Sequence, residues 1–195
     1  MEDEHSEKAN NKPFLVLDLD ETLVCTTRLK TNSPCDVICV GKQKMFLQKR
    51  PGLAEFIEKI SMLFHIIIFT SAKNEYADKI INIIAPFVSK ENRFYNKSIT
   101  NYKGFYVKDL KKLKVPLDKT ILVDDNPSSG IFQPYNQIII SPWDESSTDD
   151  TVIKEELLPL LSNVANRSNL SKAIRDEIES GKYKNLTHWS ILRKI

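Results

Sequence analysis

Two aspartates, Asp18 and Asp20, close a short apolar run in "LDLDET", and two more, Asp124 and Asp125, close another in "ILVDDNP". Residues two apart on an extended strand point to one face, so Asp18 and Asp20 share a side if the strand persists. A turn at that point could aim both carboxylates at one phosphorus atom. Crowded carboxylates repel, and a hard divalent cation such as Mg²⁺, which takes carboxylate and water oxygens, relieves the repulsion. A solvated turn rich in Asp and Glu produces the same letters, because Asp favours turns. Four carboxylates at the ends of two apolar runs make coincidence a poor explanation. Lys108, in "YVKDL", supplies an ammonium that could neutralise a phosphoryl group and hold Asp18 ionised, though a lone lysine is more often a surface residue. Thr70 closes "IIIFTS" and could hydrogen-bond a phosphoryl oxygen or, more plainly, cap a helix.

Such residues need elements to bring them together. Apolar runs at 14–17, 66–69, 121–123 and 138–140 read as buried strands, and each ends in a polar residue. Continuous apolar strands imply a sheet covered on both faces, which is usually parallel. Helical spacing lies between them: Leu53, Phe56, Ile57 and Ile60 follow Pro51, and Tyr76, Ala77, Ile80, Ile81 and Ile84 stop near Pro86. Strands alternating with helices predict an α/β, Rossmann-like doubly wound fold with a mostly parallel sheet and helices on both faces. Ligands of such sheets bind outside the carboxyl ends of the strands, which puts Asp18, Thr70, Asp124 and Asp125 on one rim. "DVICV" and "KMFLQ", flanking Gly41, Lys42 and Gln43, read as a β-hairpin inserted near that rim. Residues 1–12 read as a disordered leader and 13–195 as one domain, with its core at about 13–144 and amphipathic helices covering the sheet over about 150–195.

With 41% hydrophobic and 28% charged residues, no long apolar run and a net charge of +2, the composition offers no membrane span and no dedicated nucleic-acid surface. The acidic start lacks the pattern of a signal peptide. Three cysteines without paired spacing favour free thiols in a reducing compartment, so an intracellular protein, nuclear or cytoplasmic, is expected. A cysteine-dependent phosphatase is excluded, since no Cys is followed six positions later by Arg.

In order and spacing, "DLDET", "FTS", "YVKDL" and "VDD" resemble the haloacid dehalogenase superfamily. "LVLDLDETLV", "RPGLAEF", "FTSAKNEYAD", "YVKDL" and "VDDNP" narrow the resemblance to the small C-terminal-domain phosphatases of RNA polymerase II and the related NLI-interacting-factor-like phosphatases, over about 12–144. The resemblance implies a protein-serine/threonine phosphatase working through an aspartyl-phosphate on a phosphorylated protein or peptide. It makes Asp18 the nucleophile and Asp20 the general acid that then activates water. It has Mg²⁺ held by Asp18, the backbone carbonyl of Asp20 and Asp125, with Asp124 adjacent, and the phosphoryl group cradled by Thr70 and Lys108. The family often has Asn at the position of Asp125. Its apolar wall for a substrate proline falls here on Arg28 and Lys73, two cations that suit acidic flanks better than a polymerase tail.

Two further readings stay open. A small-metabolite hydrolase of the same superfamily shares these motifs, but the lack of a large cap between Thr70 and Lys108 favours an open site for a protein tail. A non-catalytic binding module, like the mitochondrial import receptor that carries this domain, needs degraded motifs, and these are intact.

Overall fold

The computed structural model describes residues 12–30 and 34–189. The expected leader, apart from Lys12, lies outside them, as do residues 190–195 at the end of the expected covering helices. The apolar run Phe14–Leu17 is β1. It pairs in parallel with β5 (His65–Phe69) on one side and β9 (Thr120–Asp124) on the other. β10 (Gln137–Ile140) extends the sheet beyond β9, and β6 (Arg93–Phe94) extends it beyond β5, both parallel. β11 (Leu186–His188) closes the far edge antiparallel to β10. The order is therefore β11-β10-β9-β1-β5-β6. The chain leaves β1 for β5 and later returns to β9 on β1's other side, so the order reverses at β1, where a crevice opens at the carboxyl ends.

Both faces of the sheet are buried, which is why β1, β5, β9 and β10 each carry an unbroken apolar run. Leu15 and Leu17 point into the main core, with Ile66, Ile68, Ile121 and Val123. Val16, Ile67, Phe69 and Leu122 alternate to a second, smaller cluster beneath Leu110 and Leu113. The main core takes Leu53, Phe56, Ile57 and Ile60 from α1 (Leu53–Leu63) and Ala77, Ile80 and Ile81 from α2 (Asn74–Ile84). It also takes Leu160 and Leu161 from α3 (Leu158–Val164), which a π-turn at Ile153–Leu157 leads into, and Ile174 from α4 (Leu170–Glu179). Truncating Phe56, which is fully buried, to Ala is expected to cost about 3–5 kcal/mol.

The hairpin is present, with a two-residue turn at Gly41-Lys42 and Gly41 at φ 58°. Gln43, read as turn, begins a strand instead. β3 (Asp36–Val40) and β4 (Gln43–Lys49) are joined by β2 (Val24–Thr27) into a three-stranded antiparallel sheet of order β2-β4-β3. The sequence reading placed helices over the whole C-terminal stretch; β11 departs from it, because Leu186 to His188 complete the edge beside β10. A second hairpin, β7 (Thr100–Tyr102) with β8 (Phe105–Val107), delivers Lys108. No helix among the described residues is long and apolar enough to cross a membrane.

Candidate active site

β1 ends at Leu17, and the Asp18 N–H donates to the Val123 carbonyl at 3.0 Å, so the β-pairing carries the nucleophile candidate to the end of β9. Asp124, the last residue of β9, is fully buried. Lys108 arrives from β8 with its backbone N–H held by the Ser129 carbonyl at 2.9 Å. Its ammonium, in a residue only 2% exposed, bridges Asp18 Oδ1 at 2.7 Å and Asp124 Oδ2 at 2.6 Å. Burial alone would discharge this lysine, but the two carboxylates more than compensate and its pKa lies above the ordinary lysine value.

Burial pushes the Asp18 carboxyl up to about 7; Lys108 opposes the shift and the charge of Asp124 adds to it. Asp125 is also raised, first by burial and then by Asp124. Its carboxylate accepts a hydrogen bond from the Thr22 hydroxyl at 2.9 Å, and its N–H donates to the same oxygen at 3.1 Å. Carboxylate oxygens of Asp18, Asp124 and Asp125 lie within 4.8 Å of one another. Three hard anionic oxygens against one ammonium leave uncompensated negative charge, a donor set that fits a small hard divalent cation such as Mg²⁺.

Asp20 stands apart from that cluster. Its Oδ1 accepts a short hydrogen bond from the Tyr76 hydroxyl, which contacts Thr26 Oγ1 at 3.0 Å. Burial raises its pKa against the opposing effect of Tyr76, so Asp20 holds its proton more readily than a free aspartate. Thr70 is buried at the end of β5, the strand beside β1, and its hydroxyl accepts from the Ala72 N–H at 3.0 Å. It is not the cap of α2, since Lys73 occupies that position and makes no side-chain cap bond.

Asp18, Asp20, Lys108, Asp124 and Asp125 open on a cavity of about 200 Å³ that Tyr106 and Ser71 also line, whereas Thr70, the residue before Ser71, is buried and does not line it. Ser71, Ile99 and Tyr106 also line a neighbouring depression of about 370 Å³. Arg28 and Lys73 are exposed and line neither. Sequence reasoning missed Thr22 and Tyr76. The first lies inside "DLDET", two residues past Asp20, where a hydroxyl could have been suspected; the second was read only as an apolar helix position.

A family model described as NLI interacting factor-like phosphatase matches residues 13–171. Phosphatase PSR1 of Saccharomyces cerevisiae is 32% identical over 168 residues, which is 84% of this chain and 39% of that protein. CTD small phosphatase-like protein 2 of Dictyostelium discoideum is 34% identical over 89% of this chain and 31% of its own length. The human CTD small phosphatase-like protein is 30% identical over 82% and 58%. The chain thus spans less than two thirds of each of these relatives. Among solved structures, fission yeast RNA polymerase II CTD phosphatase Fcp1 bound to beryllium fluoride aligns with a TM-score of 0.56 at 16% identity, covering 96% of this chain and 61% of that one. That likeness is one of fold.

Proposed function

The chain belongs to the NLI interacting factor-like phosphatase family, and from that premise we propose that it is a magnesium-dependent phosphoserine/phosphothreonine protein phosphatase with Asp18 as nucleophile. The observation that carries this reading is the Lys108 ammonium between Asp18 and Asp124, with Asp125 beside them. An Asp18 oxygen attacks phosphorus as the bond to the seryl or threonyl oxygen breaks. Asp20, whose carboxyl burial makes hold a proton more readily than a free aspartate, gives a proton to the leaving oxygen. Asp20 then takes a proton from water, whose oxygen attacks the aspartyl-phosphate, releasing inorganic phosphate and restoring Asp18. Lys108 offsets phosphoryl charge throughout, and Thr70 offers its hydroxyl proton to a phosphoryl oxygen. Held by Asp18, Asp125 and the Asp20 carbonyl, with Asp124 adjacent, Mg²⁺ would supply charge neutralisation and keep Asp18 ionised.

The substrate in this reading is a phosphorylated segment of a protein. Arg28 and Lys73, exposed near the first loop and at the start of α2, would favour acidic flanks over the proline-rich polymerase tail. The testing experiment is a panel of phosphoseryl and phosphothreonyl peptides and small phosphomonoesters, assayed with Mg²⁺ and with chelator. Magnesium-dependent release of phosphate from peptides supports the proposal. Turnover confined to small metabolites would transfer it to the metabolite-hydrolase reading, and no turnover of any ester would refute both.

A further inference from the structure

Behind the carboxylates lies a guanidinium that the chemistry above does not use. Arg50 sits between β4 and Pro51, is 1% exposed, and has an acceptor for every N–H of its fork. Nε and Nη2 clasp Asp150 at 2.9 and 2.8 Å. Nη1 donates to the carbonyls of Thr22 at 3.1 Å and Ser141 at 3.0 Å, and Nη2 also reaches Ser141 Oγ at 3.3 Å. The segment 141–150 therefore straps across the first catalytic loop. Trp143 tightens it, donating its backbone N–H to the Glu21 carbonyl at 2.7 Å, where Glu21 holds the left-handed φ of 60°. Two successive carbonyls, those of Glu21 and Thr22, are thus fixed by the strap and by the arginine it clasps.

Thr22 is the residue that orients Asp125. It is fully buried and β-branched, so its hydroxyl direction follows its backbone. Asp125 lies beside Asp124 and Asp18, and like charge would turn an untethered carboxylate outward, away from the other two. The links run in one line: Asp150 to Arg50, Arg50 to the Thr22 carbonyl, and the Thr22 hydroxyl to Asp125.

We propose that Arg50 and Asp150 are positioning residues for the cation site, setting the affinity of Asp125 for a divalent cation through Thr22. The inference rests on the metal-binding role given to Asp125 above. Partners that orient a ligating carboxylate typically carry about 10–100-fold in metal affinity, so Thr22→Val is expected to weaken binding by about tenfold or more. Loss of the fork, one link further back, is expected to cost about threefold to tenfold.

The experiment is calorimetric titration of Mg²⁺ into the metal-free full chain, with the thermal midpoint of each metal-free variant recorded alongside. Removing Asp150 alone strands a buried cation and endangers the fold. The chief variant is therefore the pair Arg50→Met with Asp150→Leu, since apolar replacement of a buried ion pair is often neutral or stabilising. Arg50→Lys, which keeps a cation for Asp150 but cannot supply the fork to the Thr22 and Ser141 carbonyls, serves as the second variant should the pair fail to fold. The expected result is a weakened Mg²⁺ affinity in a chain whose metal-free midpoint matches wild type, recovery in Asp150→Glu, and no additional weakening when the pair is combined with Thr22→Val. Wild-type affinity in the pair variant, or effects of the pair and Thr22→Val that multiply, would overturn the inference. A wild-type chain that binds no divalent cation would instead overturn the cation reading of Asp125 itself, and the inference with it.

Discussion

Replacing Lys108 by Met tests the electrostatics of the site independently of any substrate. The ammonium lies 2.7 and 2.6 Å from two carboxylates, and its side chain is 3% exposed. At an effective dielectric of ~20, each contact has a gross attraction of about 6 kcal/mol, most of which offsets the cost of taking the three charges out of water. Methionine keeps much of the volume but leaves Asp18 and Asp124 buried without their counter-charge, a loss that typically costs about 3–5 kcal/mol. For a chain of this length, that lowers the thermal midpoint by about 6–20 °C. The assay is thermal unfolding of both chains in chelator at pH 8 and pH 6, then with Mg²⁺. The deficit should be largest at pH 8 and smaller at pH 6, where a proton can replace the ammonium on a carboxyl already pushed up to about 7. Mg²⁺ should recover part of it at pH 8 by supplying the missing positive charge. Equal deficits at the two pH values, or none at either, would show that the carboxylates do not depend on Lys108 for their charge balance.

Asp18→Asn should lower hydrolysis of an aryl phosphate by several orders of magnitude while the chain stays folded, because covalent catalysis offers no substitute group; an unimpaired variant would assign the attack to another residue. Chelation should abolish turnover and Mg²⁺ restore it, and full activity in excess chelator would remove the cation from the mechanism. The metal-free protein should lose stability as pH rises from about 4 through 7, since Asp18 binds its proton more tightly folded than unfolded; at about 1.4 kcal/mol per pH unit the loss is at most about 4 kcal/mol. His188, whose buried ring favours the neutral form, acts in the opposite direction, so the slope is to be read as the difference between wild type and Asp18→Asn, and no difference would refute the raised value. Phosphopeptides with acidic flanks should be turned over with kcat/KM a few-fold above proline-rich ones, an advantage that fades in high salt because exposed pairs are worth only about 0.2–1 kcal/mol each; a salt-independent preference for proline would remove Arg28 and Lys73 from substrate selection.

The carboxylates were legible in the sequence because each pair ends an apolar run long enough to read as a buried strand, and a strand end fixes where its next residue points. Lys108 was legible from its motif, although its burial depends on β7 and β8, three-residue strands too short to show a period of two. The same shortness hid β11. Arg50 and Thr22 were not legible, because what they do depends on which groups the fold brings to them from far along the chain: the carboxylate of Asp150 lies 100 positions from Arg50, and that of Asp125 lies 103 from Thr22. Tyr76 fits the apolar stripe of α2 equally well whether its hydroxyl faces solvent or Asp20, and only the docking of that helix against β2 decides.

The central place of β1 has a consequence for synthesis on the ribosome. Phe14–Leu17 is made near the start of the described chain, but its partners are His65–Phe69, some fifty residues later, and Thr120–Asp124, about a hundred residues later. At the roughly 5–20 residues per second of translation, one edge of β1 waits about 5–20 s for β9 after β1 itself has been made. During that interval β1, the centre of the finished sheet, is an open template for any other extended chain, and it stays so until the segment carrying Asp124 emerges. Closing the edge against aggregation and assembling the carboxylates are therefore one event, and a nascent chain halted before β9 is both inactive and adhesive.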